Sequence, residues 1–265
     1  MEEPPVELSD EMVAAKWIEI ARLIDAMIGR IQAPNDFPVQ LDSELAGDDA
    51  VSAPYHVSHA ARWCLNSGVE HLHALKSLVL DAGLIHSAPS YSLVRGALEN
   101  FGAGFWMLHP PERHIRAEHG LRWWIKNFRD QGKATTSAGM ADDMPVELKL
   151  AAIAEIGRAA GCAVTELKSP YFSTPVLEYA DQHSSAIHPH LIWQICSGFA
   201  HGRPWASLGM NKMETRQADQ DDVSLVRLTA DHKRLLAVTL PAFHLMTDLV
   251  RLFRDRGTAT APGSR

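Results

Sequence analysis

The stretch from Ser90 to Leu108 constrains this chain more than any other. At roughly 100° per residue, Tyr91, Val94, Leu98, Phe101, Phe105 and Leu108 fall on one side of a helix. Gly96, Ala103, Gly104, Trp106 and Met107 fall on the other. A helix that is apolar or small all round has no solvent face, so other elements have to surround it. Yet Arg95, Glu99 and Asn100 interrupt this one. Breaking a buried ion pair costs about 3–5 kcal/mol, so each charge needs its partner. Arg95 and Glu99 stand four apart and can meet. Two readings are open: a structural ion pair that fixes helix register, or a guanidinium aimed into a cleft and oriented by Glu99.

Helical periodicity dominates elsewhere too, with helices expected at about 9–31, 55–85, 90–108, 112–130, 144–160, 187–201 and 231–256. Val13, Trp17, Ile20, Ile24, Met27 and Ile31 form a seam spaced 4-3-4-3-4, which suits either the protein's own core or a second copy. Residues 32–54 read as a loop and Gln131 to Asp142 as a mobile one. Asp143 is expected to cap the fifth helix and Gly161 to end it; Thr174-Pro175 reads as another cap and first turn. Pro189 falls in the first turn of the following helix, and Gly202 stops it. Alternation of Val223, Leu225 and Arg227 with Ser224, Val226 and Leu228, around the polar break Asp219-Gln220-Asp221, suggests a hairpin within 205–229. Asp231 caps the final helix, where Pro241 is expected off the apolar face as a kink. The expected fold class is all-α: a multi-helix bundle forming one domain over 1–256, with a small hairpin before the last helix and a disordered tail at 257–265.

At 265 residues and 46% hydrophobic, the chain can bury a core without disulfides or metals. Its 25 Lys+Arg against 32 Asp+Glu, a formal charge of −7, exclude a protein that coats DNA non-specifically; nucleic-acid contact requires a local patch. Cys64, Cys162 and Cys196 have no Cys-x-x-Cys spacing, which suits a reducing compartment and no zinc knuckle. The start, Met1-Glu2-Glu3-Pro4-Pro5, is unlike a targeting signal, and no apolar run approaches the roughly 20 residues that span a bilayer. We expect a cytoplasmic protein without a membrane partner. P-loop, Gly-x-Gly-x-x-Gly and Gly-x-Ser-x-Gly signatures are lacking, and no cofactor is expected.

A second focus is the helix that ends Gln194-Ile195-Cys196-Ser197-Gly198-Phe199-Ala200-His201-Gly202. His190, Gln194, Ser197 and His201 line its polar side without one Lys, Arg, Asp or Glu, unlike an ordinary solvated face. His201 is either a C-cap bonding free carbonyls or a general acid–base group. On the fourth helix His119, Arg122, Lys126 and Arg129 stand 3-4-3, either tracking phosphates or simply solvated; Trp123 and Trp124 beside them stack on a ligand or fill core. Trp106, Trp193 and Trp205 are candidates to line a cavity near His201. Glu70-His71-Leu72-His73 holds a Glu-x-x-His spacing without the second copy a diiron bundle needs, and His183, His188 and His190 lack carboxylate or cysteine partners, so no metal is expected.

Two segments carry a resemblance: Tyr91-Ser92-Leu93-Val94-Arg95-Gly96-Ala97-Leu98-Glu99-Asn100 with Trp106 and Pro110, and Ser197-Gly198-Phe199-Ala200-His201-Gly202. The chain resembles uncharacterised bacterial, actinobacterial-type helical proteins with Arg-x-x-x-Glu-Asn and Ser-x-x-x-His-Gly motifs. These more distantly resemble the HEPN superfamily of helical bundles. The resemblance spans about Tyr55 to His201 plus the last helix. It implies a metal-independent ribonuclease or RNA-binding protein of a defence or toxin type, or a non-catalytic dimerisation or ligand-binding module. It also implies a homodimer whose two motifs share a cleft. His201 matches the superfamily's histidine. The arginine that should precede it falls at Gln194, Ile195 or Cys196, so Arg95 would have to supply that charge from another helix. On this reading Arg95, Glu99 and His201 are catalytic; Asn100, Gln194, Ser197, Arg122, Lys126 and Arg129 bind substrate.

Overall fold

Ser9 starts the first helix by accepting the backbone N–H of Met12 at 3.2 Å, and Asp10 and Glu11 complement the dipole of the first turn. The structure is a computed structural model that describes residues 9–33, 36–140, 144–169, 171–218 and 224–259. Helix α1 (Asp10–Gln32) buries Val13, Trp17, Ile20, Ile24 and Met27, so the seam packs on the protein's own core. Helix α2 (Glu44–Ser52) occupies part of the stretch read as a loop. Ser43 accepts Ala46 N–H at 3.1 Å, and Leu45 and Asp48 are fully buried; tertiary contact overrides a segment rich in Asp and Pro.

Helix α3 (Val57–Lys76) runs into a π-helical turn at Ser77–Asp81, and its stripe from Val57 to Val79 is buried. Helix α4 (Pro89–Leu108) is the apolar rod that the sequence requires, buried along most of its length. It packs against α3, α8 (Ser173–His183), α9 (Pro189–Ala200) and α11 (His232–Gly257). Its small residues admit close neighbours: a Cβ at Gly104 would lie 2.7 Å from Leu249 Cδ2, and one at Gly102 2.8 Å from Leu177 Cδ2.

Helix α5 (Arg113–Ser137) continues through most of the segment expected as a mobile loop. Gly132 sits directly on Val146 of α6 (Val146–Ala159), a contact that holds the polar last turns helical. Gly161, at φ +79°, ends α6 as expected; the Asp143 cap lies outside the described residues. The short helix α7 (Val164–Lys168) and α8 fill a stretch where the sequence showed only the Thr174-Pro175 signal. Pro189 opens α9, and Gly202, at φ +63°, follows its end.

The hairpin begins later than expected, because Pro204 starts a helix, α10 (Pro204–Met210), with Ala206 buried. Strands β1 (Lys212–Ala218) and β2 (Ser224–Thr229) then pair antiparallel, Lys212 opposite Thr229, with a bulge between Thr215 and Gln217. The Asp219-Gln220-Asp221 break lies outside the described residues, as does most of the tail, 260–265. Asp231 caps α11 through Arg234 N–H at 2.8 Å. Pro241 is buried, which corrects its expected place off the apolar face. By length and hydropathy α11 would also suit a membrane crossing, but it is largely buried against α3 and α4 and serves as a core helix.

At the C-terminal end of α4 two arginines take up the carbonyls of residues 108–111. Arg116, 2% exposed, binds Asp48 through Nε at 2.7 Å and a second nitrogen at 2.9 Å, and donates to the carbonyls of Pro110 and Pro111. Arg256 of α11 donates to the carbonyls of Leu108, His109 and Pro110 and pairs with Glu44. Each buried charge is thus matched by a carboxylate and by backbone oxygens.

Candidate active site

Arg95 and Glu99 stand one turn apart on α4, and Arg95 Nε donates to Glu99 Oε1 at 3.0 Å. Both side chains are about one-quarter to one-third exposed (26% and 29%), so the pair lies at the surface, partly shielded from solvent. The same Oε1 accepts the indole N–H of Trp193, on α9, at 2.8 Å. A second guanidinium nitrogen of Arg95 lies 3.4 Å from His201 Nε2. A guanidinium only donates, so this geometry makes Nε2 the acceptor and places the hydrogen of a neutral ring on Nδ1. The residues thus form a chain from Trp193 through Glu99 and Arg95 to His201.

Helix packing fixes that chain. Tyr91 and Phe199 stack with ring centroids 3.8 Å apart and planes within 8°, tying the first turns of α4 to the last turns of α9. The His201 backbone N–H bonds to Ser197 O at 3.0 Å, and Gly202 turns the chain away. The exposed imidazole meets Arg95 rather than capping the carbonyls of α9. Beside it opens a groove of about 350 Å³, lined by Trp193, Gln194, Ser197, Gly198, His201, Arg203 and Trp205. Gly198 lets α10 approach, since a Cβ there would meet Ala206 at 2.6 Å and Trp205 at 2.8 Å.

The other candidates divide. Gln194 reaches His190 at 3.4 Å and, with Ser197, lines the groove. Asn100 donates to the Gly96 carbonyl at 2.8 Å, one turn back toward Arg95. The α5 cations do not form a free row. Arg122 stands 3.6 Å from Glu118 and lies over the Trp106 ring at 5.2 Å, while Lys126 pairs with Asp130. Arg129 borders grooves shared with α6. His119 is buried, stacked on Trp106 at 3.6 Å, with Nδ1 donating to the Trp106 carbonyl at 2.7 Å. Burial pushes its pKa down to about 4. Trp106 lies about 16 Å along the helix rise from Arg95 and so does not line the His201 groove. Trp193 and Trp205 do.

Trp123, with Tyr171 and Phe172, lines a second groove of about 350 Å³ that also holds Lys126 and Asp130. Tyr171 was not singled out by sequence; it follows a segment without helical pattern. A larger groove of about 850 Å³ between α1 and α11 is walled by Val13, Trp17 and Leu80, and its Asp231 and Arg234 are engaged in the α11 cap. The three cysteines are buried and free, and burial pushes the Cys64 thiol up to about 12 and Cys162 to about 11, far from nucleophilic thiolates. Among the described residues no three His, Cys, Asp or Glu side chains converge as metal ligands would. No family model, curated protein or solved structure matches the chain.

Proposed function

We propose that this groove handles RNA phosphodiesters, in a HEPN-like, metal-independent ribonuclease of the defence or toxin type. The contact of Arg95 with His201, at 3.4 Å across two helices far apart in sequence, carries the reading. Phosphodiester cleavage by an internal hydroxyl needs a proton acceptor beside a fixed positive charge, and these two groups supply both. An incoming phosphate draws the Arg95 guanidinium to its oxygens and frees His201 Nε2. His201 then takes the 2′-hydroxyl proton as that oxygen attacks phosphorus, and Arg95 stabilises charge developing on the phosphoryl oxygens. Glu99 keeps the guanidinium aimed. Trp205, 56% exposed, and Trp193 offer faces on which single-stranded bases stack, with Arg203 beside them.

The test is incubation of purified protein with single-stranded RNA in EDTA, alongside His201→Ala and Arg95→Ala. We expect new 5′-hydroxyl ends from the wild type and losses of about 10²-fold or more in each variant. Equal degradation by all three would mark a contaminant and sink the proposal. One observation favours a second reading, a non-catalytic ligand-binding or dimerisation module: Arg95 is already engaged by both Glu99 and His201, as a structural network requires. RNA left intact by every form would favour that module.

A further inference from the structure

We infer that His71 is a second proton-transfer group of the Arg95 site, placed across the α4 strip from His201; the inference rests on the RNA reading above. His71 is half-buried on α3, and its Nδ1 lies 2.7 Å from the Ser67 carbonyl. A carbonyl only accepts, so Nδ1 carries hydrogen and donates. Nε2 is then the free end of the ring, and among the described residues no hydrogen bond reaches it.

The position of that nitrogen is set by a glycine. A Cβ at Gly96 would lie 2.3 Å from both Cδ2 and Nε2 of His71, so the ring edge rests on the α4 backbone at the residue after Arg95. Gly96 has an ordinary helical φ, and glycine is a poor helix former. What its missing side chain provides here is room for the imidazole. On α4 the half-exposed strip runs through Arg95, Gly96, Glu99 and Asn100. Helix α9 meets the Arg95–Glu99 edge through His201 and Trp193, while α3 meets the Gly96 edge through His71. Two imidazoles therefore flank one strip that carries a guanidinium and an amide.

Cleavage of RNA needs two proton transfers. As the 2′-oxygen bonds to phosphorus, the P–O5′ bond breaks and its electron pair goes to O5′. His201 has taken the 2′-hydroxyl proton; the His71 imidazolium gives its Nε2 proton to O5′ while Nδ1–H stays on Ser67. The products are a 2′,3′-cyclic phosphate and a 5′-hydroxyl, and water returns both rings to their starting forms.

A sulfur leaving group separates this role from a structural one, because a thiolate departs without protonation. Two oligoribonucleotides with one scissile linkage, P–O5′ or P–S5′, are compared in EDTA. We expect His71→Asn to cut the oxygen linkage about 10²-fold or more slowly and the sulfur linkage within a few-fold of wild type. His201→Ala should lose both. Gly96→Ala keeps His71 but displaces its ring, and should reproduce the His71→Asn pattern. Equal losses on both linkages, or wild-type rates on oxygen for His71→Asn and Gly96→Ala, overturn the inference. Wild-type protein that cuts neither linkage removes the RNA reading and this one with it.

Discussion

The Trp193 indole N–H donates to Glu99 Oε1 at 2.8 Å, so α9 holds the carboxylate that holds Arg95. Hydrogen bonds to charged groups contribute about 1.5–3 kcal/mol. Trp193→Phe should therefore lower kcat/KM on single-stranded RNA by about tenfold or more, with circular dichroism unchanged. Glu99→Gln should cost more, because it also removes the charge opposite Arg95. Unaltered kinetics in both variants would deny Glu99 a positioning role.

His119 makes stability depend on pH. Burial, opposed by its bond to the Trp106 carbonyl, lowers its pKa from 6.5 to about 4. Between those values the unfolded chain binds more protons than the native one. Its contribution is thus present above about 6.5 and is lost as pH falls toward 4, up to about 3 kcal/mol in all. His119→Gln should flatten this part of the profile of Tm against pH. An identical slope in both proteins would show that His119 does not set it.

Asp48 and Arg116 are both buried, and removing one strands the other. Asp48→Ala should destabilise the fold by about 3–5 kcal/mol. The double change Asp48→Leu with Arg116→Met should recover part of that loss in urea denaturation, since it strands no charge. A double variant worse than the sum of the singles would contradict this account.

Gly68 faces Phe101 so closely that a Cβ would lie 2.3 Å from the ring. Gly68→Ala gains helix propensity yet should still lose about 1–3 kcal/mol by overpacking. A rise in the urea midpoint would mean that the ring moves aside freely.

What sequence shows is uneven, and the reasons are physical. The α1 seam and the all-round apolar α4 were legible because burial imposes a helical period on side-chain type. Arg95 and His201 each stood out as polar groups on helices with extensive apolar faces, but spacing along either helix does not show that the two meet. Helix α2 and the last turns of α5 were not, because Leu45 and Gly132 are held by neighbours remote in sequence. The α5 cations read as a row because spacing shows position but not pairing; Glu118 and Asp130, each one turn away, engage two of them. His71 stood in the sequence only as part of Glu70-His71-Leu72-His73, and only the approach of α3 to Gly96 reveals its setting.

The clasp of Arg256 on the carbonyls of Leu108, His109 and Pro110 has a practical corollary. Trimming the C-terminus is harmless only while that guanidinium survives. Shortened versions should keep everything through Gly257, whose carbonyl accepts the Gln40 backbone N–H at 2.9 Å, and affinity tags belong after residue 259.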